Sequence, residues 1–283
     1  MSVPGLSLVG FMDQTQALTH LEQTCVPSNA SSPTLVAEWT AAKAALGPPF
    51  PNAGNPSVSA IPTAGTAHVA HLSGQAWFQP YMADPAFCMA GFYMIEIAPL
   101  LAFQHIVNKT RSNHHGALLG SPPSLQEMLD ICLPITPTAE QYNVQQQPGP
   151  PNRPSSLMIK ARSLNLRVVQ AGYNGNFGGV VIGPSLPVVQ VCEFNGKYFL
   201  SNGFHRAYCL AMAGATEIPC ILRRVSSESV IGIQEGTFPL DLLQSNNPPT
   251  LGHFIQNRAH DVQLRLTSRV ITVSWSEWTV LDE

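Results

Sequence analysis

The chain has 283 residues, enough to bury a large core in one elaborated domain or in two packed ones. Its 14 Lys and Arg against 17 Asp and Glu give a formal charge of −3, which excludes a broad basic footprint for duplex DNA. Only 11% of residues are charged, 45% are hydrophobic and 25 are proline, a balance that fits a large buried fraction or a surface covered by a partner.

In chain order, the first predicted helix covers residues 13–24, capped by Asp13, with Ala17, Leu18 and Leu21 as its apolar stripe. A second covers 34–46, after Ser31-Ser32-Pro33, and carries Val36, Trp39, Ala42 and Leu46. Residues 47–65 are rich in Pro, Gly, Asn and Ser and read as an ordered loop or a mobile connection. Further elements are predicted over 68–78 and 92–97, the second a strand. His114-His115 sits between Asn113 and Gly116. Adjacent side chains diverge on a strand or a helix, so a solvent-facing turn is expected there and not a metal pair. Ser124-Leu125-Gln126-Glu127 matches a capping box and opens a helix through Cys132 that ends before Pro134.

Residues 145–156, QQQPGPPNRPSS, read as a surface linker, because prolines join neither a ladder nor a helix interior. Residues 162–169 alternate as a strand should. The following Asn174-Gly175-Asn176-Phe177-Gly178-Gly179 lacks the spacing and Lys of a Walker loop and is expected to form a turn. Near the end, Trp275 and Trp278 flank Glu277 on a strand-like stretch that closes a core edge. The six cysteines have no paired spacing, so a zinc site has no support and free, buried thiols are expected. No run approaches the ~18 apolar residues of a membrane span, and no secretory signal is evident, so a cytoplasmic location without membrane contact is expected.

The most informative stretch is residues 188–224. Asn195-Gly196 tolerates the positive φ of a tight turn and joins two strands. Ser201-Asn202-Gly203 then breaks the second strand, a short helix follows to Gly214, and residues 218–222 return as an apolar strand. The chemistry suggested lies at Asn202-Gly203-Phe204-His205-Arg206. A helix N-terminus attracts anions through its N–H groups and dipole, Gly203 admits close approach to the backbone, and His205 and Arg206 add donors. This is a phosphate cradle, or a capped helix whose His and Arg bond only to neighbouring loops.

Here the residues resemble a family. Gly203-Phe204-His205-Arg206, its small-residue helix and the strand containing Pro219 are similar to the ParB/sulfiredoxin-like superfamily, over residues 188–224. The resemblance implies an α+β fold with a mixed sheet and short helices over residues 92–283, interrupted by a Pro-rich insertion around 133–156. A largely helical region, residues 1–91, precedes it. It further implies binding of a nucleotide or phosphorylated small molecule through Asn202 to Arg206, and hydrolysis or phosphoryl transfer with Mg²⁺. His205 and Arg206 would stabilise the developing charge. Glu96 or Glu193 would serve as general base or metal carboxylate, or Glu96 would be a strand-end carboxylate that faces solvent or pairs with an Arg.

Phe204 stands where sulfiredoxins place their catalytic Cys, and no helical DNA-binding region follows Arg224, so neither of those activities is expected. Two other readings compete. One is a non-enzymatic sensor that keeps the cradle and docks on a protein partner. The other is a nuclease, less favoured, which needs Arg162, Arg167, Arg206, Arg223 and Arg224 to form one groove.

Overall fold

The computed structural model describes residues 2–25, 31–117, 119–136, 142–147, 155–161, 166–173, 178–184, 186–233 and 236–275. The protein belongs to the α+β class and divides into two compact units, Met1–Thr136 with Val188–Arg265, and Pro137–Pro187 with Leu266–Glu283.

The first unit begins with β1 (Ser2–Ser7), α1 (Gln14–Thr24), α2 (Ser32–Ala45), β2 (Val58–Ala60), α3 (Thr66–Ser73) and α4 (Gln79–Ala83). It continues through β3 (Met89–Glu96), β4 (Ile106–Asn108), α5 (Lys109–Gly116) and α6 (Leu125–Cys132). The second unit then supplies β5 (Tyr142–Gln147), β6 (Ser155–Ala161), β7 (Leu166–Tyr173) and β8 (Gly178–Pro184). The chain returns to the first unit as β9 (Gln190–Phe194), β10 (Lys197–Asn202), α7 (Phe204–Met212), β11 (Glu217–Arg224), α8 (Leu240–Leu243), α9 (Leu251–Ile255) and β12 (His260–Arg265). β13 (Arg269–Trp275) belongs to the second unit.

Local signals fix several of these elements. Asp13 accepts the Gln16 N–H and caps α1. Ser124 and Glu127 form the reciprocal capping box of α6. Asn195 and Gly196 turn between β9 and β10 with φ of 52° and 71°.

The first unit holds a mixed five-stranded sheet, β10-β9-β11-β3-β2, in which only β11 and β9 run parallel. β11 is buried on both faces, through Ile218, Cys220 and Leu222 on one and Ile221 on the other. A three-stranded sheet, β12-β1-β4, pairs β1 with a strand far along the chain, Ser2 opposite Arg265. Residues 1–91 are therefore woven into the same unit as the motif, through β1 and β2. The expected boundary at residue 92 is not where the chain divides.

In the second unit, β13-β6-β5 form an antiparallel sheet and β7-β8 a separate ribbon. Residues 142–147 and 155–161, the flanks of the expected linker, are paired strands instead. Backbone pairing absorbs the glutamines, while 148–154 lie outside the described residues. So do 162–165, 174–177 and Trp278. Among the described residues no helix is long and apolar enough to cross a membrane.

Close backbone packing fixes the N-terminal region. A Cβ on Gly10 would stand 2.6 Å from the Ala42 carbonyl oxygen, near the end of α2. Backbone atoms cannot swing aside, so Gly10→Ala is expected to destabilise the first unit by about 1–3 kcal/mol. Urea denaturation checks this, and an unchanged midpoint would contradict the packing.

Candidate functional site

Each residue of the motif has a definite structural task. Gly203 is the N-cap of α7 with φ 105°, a left-handed conformation that glycine adopts at least cost. A Cβ there would meet Val189 Cγ2 at 2.8 Å, so the space above Gly203 is filled by β9's leading edge. Phe204 is buried at 2% exposure and meets the Phe103 ring edge-on at 5.5 Å. Asn202 donates its side-chain N–H to the Val188 carbonyl at 3.0 Å, closing the turn.

Arg206 is partly buried, and its Nη1 donates to the Ile131 carbonyl at 3.4 Å, in the last turn of α6. A cation suits a helix C-terminus, where carbonyls lack intrahelical partners. Burial lowers the Arg206 pKa to about 10. The nearby Cys132 thiol acts in the opposite sense, and the Arg111 guanidinium reinforces the lowering. Cys132 is itself pushed up to about 12, and Cys209 to about 11, chiefly by burial. All six cysteines are free, and only Cys88 is not buried.

His205 links two helices. Its Nε2 accepts the backbone N–H of Asn108 at 3.2 Å, so the ring is neutral at that nitrogen. Asn108 is the N-cap of α5, and its side chain accepts the Arg111 N–H at 3.0 Å. The first turns of α5 and α7 thus meet at one corner, with Arg111 and Arg206 close enough to repel. Lys109, next along α5, pairs with Asp261 of β12. Sequence reading placed His114 in a turn, and α5 went unseen because KTRSNHHG has no apolar period. Its only sequence signal is the Asn108 cap.

The carboxylates do not join this corner. Glu96 lies opposite Glu217 at the C-terminal end of β3, and its Oε2 accepts the Ser57 N–H at 3.1 Å. Its strand, β3, stands three places from β10 in the sheet order. Glu193 pairs with Arg224 at 2.9 Å. Magnesium prefers several oxygen ligands, and the described residues of the corner do not fit a protein-held ion. Among the described residues no cluster of three or more His, Cys, Asp or Glu is placed to hold a metal.

The scattered arginines take separate partners as well. Arg223 donates to the Phe87 carbonyl at 2.7 Å and lies 4.6 Å from that ring's centroid. Arg162 lies outside the described residues, and the Arg167 side chain is not among those described.

A second cluster escaped the sequence reading. His20 Nε2 lies 3.1 Å from the buried Ser7 hydroxyl and its ring meets His105 edge-on at 5.4 Å. Burial drives the pKa of both down to about 4, with like charge from His20 adding to the effect on His105. Fully buried His253 is likewise lowered to about 4, by burial and then by Arg258, against a backbone bond with Thr250.

No family model, curated protein or solved structure matches the chain.

Two expectations follow. Gly203→Ala and Arg206→Ala should each cost about 1–3 kcal/mol, the first through strain against Val189 and the second through the abandoned Ile131 carbonyl. Urea midpoints equal to wild type would contradict both assignments. The histidines set a pH dependence. Unfolded imidazole titrates near ~6.5 and these three near 4, so the unfolded chain binds more protons between those values. Stability is complete above that window and falls as pH drops through it, by about 1.4 kcal/mol per pH unit for each histidine. His20→Gln should flatten this slope in denaturation series, and an unaltered slope would acquit His20.

Proposed function

We propose that the chain binds a nucleotide or other phosphorylated small molecule at the corner where α5 and α7 begin. The observation carrying this reading is the Asn108 N–H to His205 Nε2 contact at 3.2 Å, which brings two helix N-termini together. Each terminus has a partial positive charge, and Arg111 and Arg206 add two full ones nearby. An anion placed there relieves the repulsion between the guanidinium groups. The likeness of Gly203-Phe204-His205-Arg206 to ParB/sulfiredoxin-like proteins supports the same ligand class.

Of the enzymatic and non-enzymatic readings, the geometry favours a binding module. Hydrolysis or phosphoryl transfer needs a group that orients the nucleophile or holds metal. Glu96 accepts the Ser57 N–H on a strand three places from β10, and Glu193 is engaged by Arg224. Any magnesium would arrive on the phosphates of the ligand. The nuclease reading gains nothing from Arg206, Arg223 and Arg224, whose partners differ.

Thermal unfolding with ATP, CTP, GTP, ADP and inorganic phosphate, each with and without Mg²⁺, tests the proposal. A ligand at a hundredfold excess over its Kd should add about 2.7 kcal/mol of stability. Arg111→Ala should abolish that shift; Arg206→Ala is less informative because it also uncaps α6. No shift with any ligand would overturn the reading. Product formation in the same samples would move the protein to the enzymatic class.

A further inference from the structure

The second unit presents an edge strand, β5, that the described residues leave without a partner on its outer side. In β13-β6-β5 the antiparallel register sets directly opposed residues on one face. Leu157, Ile159 and Ala161 of β6 therefore share a face with Ile271 and Val273 of β13 and with Val144 of β5. Ile159 and Ala161 form a small core there with Leu157, Ile182 and Ile271 packed against it. The row Ile271–Ile159–Val144 stops at β5, one of the two edge strands of this sheet among the described residues. Val144 is 53% exposed, although the Ile159 opposite it is only 7% exposed.

Edge strands commonly carry a charge, a proline or a bulge that blocks further pairing. β5 reads YNVQQQ, has neither charge nor proline, and pairs with β6 over six positions without a register shift. Its amide side chains both donate and accept, so two copies meet without like charges.

We propose that β5 pairs antiparallel with β5 of a second copy, about a two-fold axis through Val144. This register sets Val144 against its symmetry mate, Asn143 against Gln145, and Tyr142 against Gln146. It keeps apolar residues on the apolar face and extends the row to Ile271–Ile159–Val144 and its mirror. An axis one residue away, at Gln145, would instead oppose Val144 to Gln146. The contact is isologous and closes on itself, giving a dimer and not a fibre. One strand pair buries less than the ~1,200 Å² of a standard stable interface, so association is weak and depends on concentration.

Sedimentation analysis of the full chain over a hundredfold range of concentration tests this. The wild type should pass from monomer to dimer, Val144→Lys should remain monomeric, and Val144→Ile should still dimerise. Opposed Cα atoms in an antiparallel pair lie about 4.5–5.5 Å apart, within disulfide reach. Mild oxidation should therefore cross-link the Val144→Cys chain, and not the wild type or Gln145→Cys. A wild type that is monomeric throughout would overturn the proposal. So would a dimer that survives Val144→Lys, or pairing with a foreign strand only. If Val144→Lys fails to fold, absence of the Val144→Cys cross-link overturns it instead.

Discussion

Three helices of the first unit end on carbonyls that arginines from far along the chain satisfy. Arg265 donates to Cys25 and Glu22 at the close of α1, Arg258 to Leu46 and Pro48 just after α2, and Arg206 to Ile131 in α6. The last carbonyls of a helix have no partner within it, and a buried polar group left alone is costly. In a chain with so few charges, these guanidinium groups are spent on architecture. They tie residues 22–48 to 258–265 and bind the motif helix to α6. The intertwined first unit depends on them.

This use of arginine also shapes the site. Arg206 stands in the first turn of α7, where its charge opposes the dipole, and is compensated by the C-terminal end of α6. Positive charge is thereby held at a corner that would otherwise disperse it. Gly203 serves packing against Val189, and Phe204 serves the core through Phe103. A motif suggestive of ligand chemistry is thus also a fold signature. Beyond its own turn, the motif joins α7 to α5 through His205.

Much of the local structure was legible. The Asp13 cap, the Ser124–Glu127 box, the Asn195-Gly196 turn and the strand before Arg224 all follow from neighbouring residues. Long-range pairings were not, since nothing local in SVPGLS announces residues 260–265 as its partner. The glutamines of β5 misled because their weak strand preference is overridden by pairing with the apolar β6. At the site, the residues of the α7 turn were identifiable, but Asn108 and Arg111 were not. Their relevance arises from a contact between residues 97 apart.

The pairing of β1 with β12 carries a consequence for synthesis of the chain. β1 emerges from the ribosome well before β12, with Leu6 within it and Leu8 just after it destined for burial. Its principal neighbour is translated on the order of tens of seconds later, at ordinary elongation rates. In the interval β1 has, among the described residues, only the three-residue β4 to pair with, and that too arrives about a hundred residues on. Until then β1 is a sticky, uncovered strand that a holdase chaperone would be suited to shield. Closure of the first unit therefore awaits the emergence of β12.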